Sequence, residues 1–479
     1  MAATTIQTDL LIGGTWRPAG DGGRIDVLDP ATGDVIAAVA DASVDDARAA
    51  VDAAAAAAAG WAATAPRERA EALRRGFELM RAREEEIAAT ITAEMGKPLA
   101  EARGEAAYAA EFLRWFAEEA VRADGEYAIA PGGAARMLVL PQPVGISVLV
   151  TPWNFPAAMA TRKLGPALAA GCTAIVKPAT ETPLTTLLIA SMLEEAGVPP
   201  GVVGVLTTSR PRQVVAAMVD DPRVRKLSFT GSTEVGRELL ALAARSVVNV
   251  SMELGGNAPF LVLEDADVDA AVAGAMAAKL RNGGEACTAA NRFLVHESLA
   301  ESFSAGLTRA MAAVRVGAGT EPGAELGPMI NEAAVAKIES LVADACDRGA
   351  RVTTGGERLD RPGWFYPPTV LDGVAAGSAI LREEVFGPVA PLTTFADEAD
   401  AVAEANDTEH GLVAYVYSRD LRRAMRVAEA IETGMVGLNR GVVSDPAAPF
   451  GGVKQSGVGR EGGHHGLREF IEPKYFSFD

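Results

Sequence analysis

Between Ile146 and Glu253 the chain alternates short, wholly apolar runs with amphipathic stretches, and this limits the architecture more than any other feature. Ile146–Val150, Ala174–Lys177, Val202–Thr207, Lys226–Phe229 and Val248–Glu253 read as strands. Helices over about 157–170 and from Pro183, Pro211 and Thr233 separate them. Strands that are apolar on both faces need cover on both faces. Helical crossovers then give a parallel, doubly wound α/β sheet. Ligands reach such a sheet at the carboxyl ends of its strands. Asn154, Lys177, Gly231 and Glu253 fall at or just past those ends.

Residues 44–123 keep helical apolar spacing, and the alanine run Ala53–Ala59 suits a closely packed helix better than a linker. Tyr127–Ala130 and Met137–Leu140 flank Pro131, Gly132 and Gly133, the pattern of a β-hairpin. So short a hairpin needs something to pack on, either its own chain or another subunit. A second α/β region is expected after residue 256, with strands near 258–263, 292–296, 388–394, 413–418 and 435–439. Lys474–Asp479 reads as a terminal strand.

A chain of 479 residues has room for two or three domains. Its net charge of −19 opposes nucleic acid and anionic membranes as partners. The same charge means that any anionic ligand needs local positive charge. Three cysteines (Cys172, Cys287, Cys346) exclude a disulfide scaffold, and the four histidines show no metal-ligand spacing with them, so no metal is expected. The N-terminus lacks the basic start and apolar core of a signal peptide, and no run of about 18 apolar residues occurs. A cytoplasmic location is expected.

Chemistry concentrates in a few segments. Cys287 follows Asn282, Gly283, Gly284 and Glu285; Glu253 precedes Leu254, Gly255 and Gly256; Asn154 sits between Pro152-Trp153 and Phe155-Pro156. A lone cysteine is most often a small buried hydrophobe. As a thiolate it adds to an aldehyde carbon, and the resulting oxyanion needs preorganised donors. The Asn154 amide and the Cys287 N–H are the candidates, although Asn154 also suits a simple turn. After hydride loss to a nicotinamide a thioester remains, and Glu253 is the candidate base for the water that releases it. Gly231 and Ser232 end one strand and open a helix, where backbone N–H groups hold a pyrophosphate. Lys177 and Thr180 end a neighbouring strand. Gly457, Gly459 and Gly462 match G-x-G-x-x-G, but only 17 residues follow Gly462, too few for the βαβ unit and the acidic residue that this fingerprint requires. A glycine-rich turn is expected there.

Together these segments, with Glu384-Val385-Phe386-Gly387-Pro388 and Ser456–Glu461, resemble the aldehyde dehydrogenase superfamily over essentially the whole chain, and within it the succinate-semialdehyde dehydrogenases. The resemblance implies Cys287 as nucleophile, Glu253 as base, Asn154 as oxyanion donor, and Lys163 and Glu461 as a proton-handling pair. It implies Thr151, Pro152, Trp153, Lys177, Thr180, Gly231, Ser232, Glu384 and Phe386 as cofactor contacts. Arg162, Arg281 and Ser444 match the ligands of a substrate carboxylate, and guanidinium forks suit that task. The implied fold is a Rossmann-like cofactor domain (1–123 and 144–255), an α/β catalytic domain (256–465) and a β-arm for oligomerisation (124–143 and 466–479) in a homodimer or homotetramer. NADP is favoured over NAD, because Thr180 is small and neutral where NAD-preferring relatives often carry glutamate; Glu181 tempers this. The implied reaction is oxidation of succinate semialdehyde to succinate. Glutarate semialdehyde or general aldehydes are the nearest alternatives, and a non-catalytic binding protein a more distant one. One departure stands beside the nucleophile: Glu285 replaces the usual glutamine, and its charge raises the thiol pKa unless it points away.

Overall fold

The computed structural model describes residues 6–479; the opening Met1–Thr5, part of the stretch read for a targeting signal, lies outside the described residues. Two large sheets dominate. The first has eight strands, and its centre is parallel in the order Val203–Val205, Ala174–Lys177, Ile146–Val150, Val224–Thr230, Asn249–Glu253. Every residue of Ile146–Val150 and Ala174–Lys177 is buried, as helical cover on both faces requires. Leu10–Ile12 and Thr15–Arg17 extend one edge antiparallel, which the sequence reading did not anticipate. The second sheet has seven strands and is parallel except for its edge strand Arg351–Thr354. Its strands Ala258–Val262, Ala290–His296, Val389–Phe395, Val413–Tyr417 and Met435–Leu438 lie close to the expected positions.

Helices Val44–Ala63, Pro66–Ala82, Glu84–Met95 and Leu99–Glu119 fill the N-terminal helical region. The alanine run lies inside the first, whose N-cap Ser43 forms a capping box with Asp46. Helix Pro156–Ala170 is buried at every position, starts on a proline and ends at Gly171 in the left-handed conformation (φ 95°). Glu126–Ile129 and Arg136–Pro143 form the hairpin, and the terminal strand Ile471–Phe478 pairs with the second of these along its whole length.

One segment crosses the division expected from sequence. Gly457–Val458 falls within 256–465 yet adds an antiparallel strand to the first sheet, beside Met252–Glu253. A Cβ on Gly457 would lie 1.9 Å from the Met252 carbonyl oxygen, so glycine is what allows the approach. The G-x-G-x-x-G match is thus an edge strand and turn. No helix of the described residues is long and apolar enough to cross a membrane.

Candidate active site

Strand Ile146–Val150 has Ala174–Lys177 on one side and Val224–Thr230 on the other, so the crossovers depart in opposite directions beside it. A crevice opens at the carboxyl ends of strands at such a switch point. A cavity of about 280 Å³ lies there, lined by Pro152, Trp153 and Asn154 from the first strand's exit and by Thr230, Gly231 and Ser232 from its neighbour's. Cys287, Glu384 and Phe386 close it from the second sheet's side.

The cofactor half fits a dinucleotide. Helix Thr233–Ala244 starts at the cavity wall, with Ser232 as N-cap accepting from the Val235 N–H at 3.4 Å. Its N-terminal donors and dipole suit a pyrophosphate. A Cβ on Gly231 would meet the Phe229 ring at 2.4 Å, so the backbone there stays bare. The hydroxyls of Thr151 and Thr230 are buried without a partner among the described residues. Glu384 accepts the Gly256 N–H at 3.1 Å, and burial pushes its carboxyl up to about 7 against that bond and the charges of Lys337 and Lys279. Phe386 adopts a left-handed backbone (φ 52°) and presents its ring edge-on to Trp153 at 5.4 Å. Such a conformation costs roughly 1–3 kcal/mol in a side-chain-bearing residue and persists only where the surroundings enforce it. Lys177 and Thr180 lie at the next strand end, outside this lining. Burial brings the Lys177 ammonium down to about 8, against the charge of Glu181. The Thr180 hydroxyl donates to the Thr208 carbonyl at 3.2 Å.

The loop that leads to Cys287 is unusual in its backbone. Asn282, Gly283 and Gly284 are consecutively left-handed (φ 56°, 65° and 77°). A Cβ on Gly284 would sit 2.2 Å from the Gly387 carbonyl oxygen. This tight loop delivers a half-buried Cys287 to the cavity. Its thiol is pushed up to about 12, first by burial and then by the charges of Glu384 and Glu253, while Arg162 and Arg281 pull it down. No acceptor for the Cys287 N–H occurs among the described residues.

Asn154 is held from both ends. Its amide donates to the Glu285 carbonyl at 2.9 Å, and its own carbonyl accepts from Lys97 at 2.8 Å and Asn282 at 3.0 Å. One amide N–H is therefore spent and one remains. Lys97 is paired with buried Glu105 at 2.5 Å, whose other oxygen accepts the Ala157 N–H at 2.9 Å and so caps helix Pro156–Ala170. The Glu285 side chain points away from the thiol, accepting the Ile330 N–H at 3.0 Å. Burial pushes its carboxyl up to about 8, and it is not among the strongest influences on Cys287.

Glu253 ends its strand buried, with no partner for either oxygen among the described residues. Burial, and then the charge of Glu461, raises its carboxyl well above the usual range, opposed by Lys163, Arg162 and Arg460. Lys163 joins Glu461 at 2.5 Å and the Ser228 hydroxyl at 2.9 Å. Arg162 is buried, donates to the Tyr108 hydroxyl at 2.7 Å and lies 3.7 Å from Glu461. Arg281 has neither hydrogen bond nor ion pair from its side chain among the described residues, and stacks over Phe155 at 4.9 Å. Ser444 is half-buried in the loop that leads to Phe450, the ring stacked on Arg162 at 4.3 Å.

Several residues here escaped the sequence reading: Lys97, Glu105, Lys337 and Tyr108. One signal was available for Lys97. The chain has only eight lysines among 44 basic residues, and Lys97, Lys163, Lys177, Lys226 and Lys279 are buried. In so arginine-rich a chain, lysine marks interior tasks. Tyr108 and Glu105 carry no such mark, because they look like ordinary positions of an amphipathic helix.

Known proteins place this architecture. An Escherichia coli succinate-semialdehyde dehydrogenase whose name specifies NADP(+) is 50% identical over 98% of this chain and 97% of its own. A Pseudomonas aeruginosa glutarate-semialdehyde dehydrogenase is 48% identical over 99% of this chain and 98% of its own. The crystal structure of a succinate-semialdehyde dehydrogenase from Burkholderia pseudomallei superposes with a TM-score of 0.97 at 50% identity, covering 98% of each chain. The profile of the Aldehyde dehydrogenase family matches residues 16–476, and the chain belongs to that family.

Proposed function

We propose that this chain oxidises succinate semialdehyde to succinate, with NADP preferred and NAD usable. The observation that carries the reading is the juxtaposition at one cavity of a thiol, two uncommitted N–H donors and, behind them, a buried carboxylate without partners, with an unpaired guanidinium close enough to act on the thiol. Cys287 releases its thiol proton to solvent, the thiolate Sγ adds to the aldehyde carbon, and the Cys287 N–H and the free Asn154 N–H receive the oxyanion. A bound nicotinamide supplies the two-electron acceptor for the hydride that leaves that carbon. Glu253 takes a proton from water, hydroxide adds to the acyl carbon, and Sγ departs as the acid forms. The Lys163–Glu461 pair beside Glu253 carries the proton onward.

Gly231, Ser232, Thr151, Pro152 and Trp153 would hold the dinucleotide, with Glu384 and Phe386 at its nicotinamide end. Lys177 and the small, neutral Thr180 leave room for a 2′-phosphate, and the E. coli relative's name agrees. Arg281, Arg162 and Ser444 take the substrate carboxylate and supply the positive charge that the −19 total lacks. Glutarate semialdehyde is the second reading, favoured by the Pseudomonas relative. One methylene separates the two, worth only about 1–3 kcal/mol of discrimination.

In this reading the first sheet serves the cofactor, the second carries the nucleophile, and the hairpin with the terminal strand is an oligomer arm. That arm leaves Tyr127, Ile129, Tyr475 and Phe478 exposed, which suits burial in a homodimer or homotetramer. A cytoplasmic setting agrees with a free thiol nucleophile.

Arg281→Ala tests the carboxylate assignment. The variant is expected to lose roughly 10²-fold in kcat/KM for succinate semialdehyde while butanal oxidation changes little. Equal losses on both substrates would make Arg281 structural.

A further inference from the structure

Two guanidiniums, Arg162 and Arg281, act on the nucleophile, and neither is held in a short carboxylate ion pair. Arg162 has Glu461 at 3.7 Å, and Arg281 has no carboxylate partner among the described residues. The charge of Arg281 reaches buried Glu101, but the close contacts of both guanidiniums are largely aromatic rings. Arg162 lies over Phe450 at 4.3 Å and Phe112 at 5.0 Å, and Arg281 over Phe155 at 4.9 Å. Among the described residues Tyr108 is the one ring shared by both, at 5.8 Å from Arg162 and 5.9 Å from Arg281. An aromatic face attracts a cation without cancelling its charge, so both arginines stay available to an anion.

Tyr108 also contributes a hydroxyl, which accepts from Arg162 at 2.7 Å. A phenol that accepts still has its own proton to give. No protein acceptor for that proton occurs among the described residues. A carboxylate gripped by the two arginines is the fitting acceptor.

The helix Leu99–Glu119 explains why this residue is so placed. Glu101, Glu105, Tyr108 and Phe112 fall at i, i+4, i+7 and i+11, one stripe along its face. Glu101 accepts the Asn282 N–H of the nucleophile loop at 3.0 Å. Glu105 caps the helix that carries Arg162. Tyr108 braces both guanidiniums, and its ring meets Phe112 edge-on at 5.0 Å. A single helical face thus fixes the nucleophile loop, the oxyanion segment and the two arginines relative to one another.

We infer that Tyr108 is a specificity-determining residue of the carboxylate subsite: its ring sets the spacing of Arg162 and Arg281, and its hydroxyl donates to the substrate carboxylate. The inference rests on the ω-carboxy aldehyde reading above. Tyr108→Phe keeps the ring and removes only the hydroxyl. The variant is expected to lose roughly tenfold in kcat/KM for succinate semialdehyde, mainly through KM, because a hydrogen bond to a charged group is lost. Butanal should stay within about twofold of wild type, since no hydrogen bond to it is removed. Tyr108→Ala, which also removes the shared ring, should cost more on the semialdehyde than Tyr108→Phe. A Tyr108→Phe enzyme with the wild-type ratio between the two substrates, whether both rates are intact or both fall together, would overturn the inference and leave the parent reading standing. A wild-type enzyme that does not distinguish the two substrates would overturn the parent reading and this one with it.

Discussion

Cys287→Ala is expected to abolish turnover, with a loss on the order of 10⁵-fold in kcat, because in the proposed reaction the residue forms and breaks the bond to carbon in every cycle. The substitution removes one sulfur from a half-buried position and leaves its backbone N–H in place. The dinucleotide cradle proposed at Gly231, Ser232 and Glu384 does not use the thiol, so cofactor titration should give a Kd within about twofold of wild type. Neither remaining cysteine can substitute. Cys172 is buried against the Phe470 carbonyl, and Cys346 does not line the cavity. Residual turnover above about 1% of wild type would point to another nucleophile.

Glu253→Gln should uncouple the two halves of the reaction. Both Glu253 oxygens lack partners among the described residues, so the amide breaks no hydrogen bond seen there and fits the same volume. Acylation of Cys287 is expected to continue, giving a burst of about one reduced nicotinamide per site, followed by steady turnover slowed by roughly 10²- to 10⁴-fold, the contribution of a general base. The pH dependence follows from the direction of its shift. Burial and the Glu461 charge hold the Glu253 carboxyl well above the usual range, so its basic form grows only as pH rises beyond the range in which an ordinary carboxyl ionises. Wild-type deacylation should therefore accelerate with pH in that window, and the variant should lose this limb. A variant without a burst would place Glu253 before hydride transfer. A variant with unchanged turnover would remove it from the reaction.

The parallel core was legible in the sequence because strands covered on both faces must be apolar throughout, as Ile146–Val150 and Ala174–Lys177 are. The short edge strands Thr15–Arg17 and Arg351–Thr354 were not, because edges are half-exposed and carry no apolar run. The segments gathered at the cavity were visible as motifs, since Gly231 and Gly284 leave no room for a side chain and such places mark themselves. Orientation was not visible. Whether Glu285 faces the thiol depends on a hydrogen bond to Ile330, 45 residues away, that no local pattern encodes. The commitment of one Asn154 N–H to the Glu285 carbonyl is hidden in the same way. Tyr108 was missed because helical periodicity marks a face as buried without saying what it is buried against.

The most direct test is kcat/KM of the wild-type enzyme for succinate semialdehyde against butanal, with NADP in excess. The two substrates differ chiefly in the carboxylate. Butanal leaves Arg281 and Arg162 unsatisfied, so a preference of roughly 10²-fold or more for the semialdehyde is expected. A ratio near one would contradict the assignment and mark a general aldehyde dehydrogenase whose arginines serve the fold.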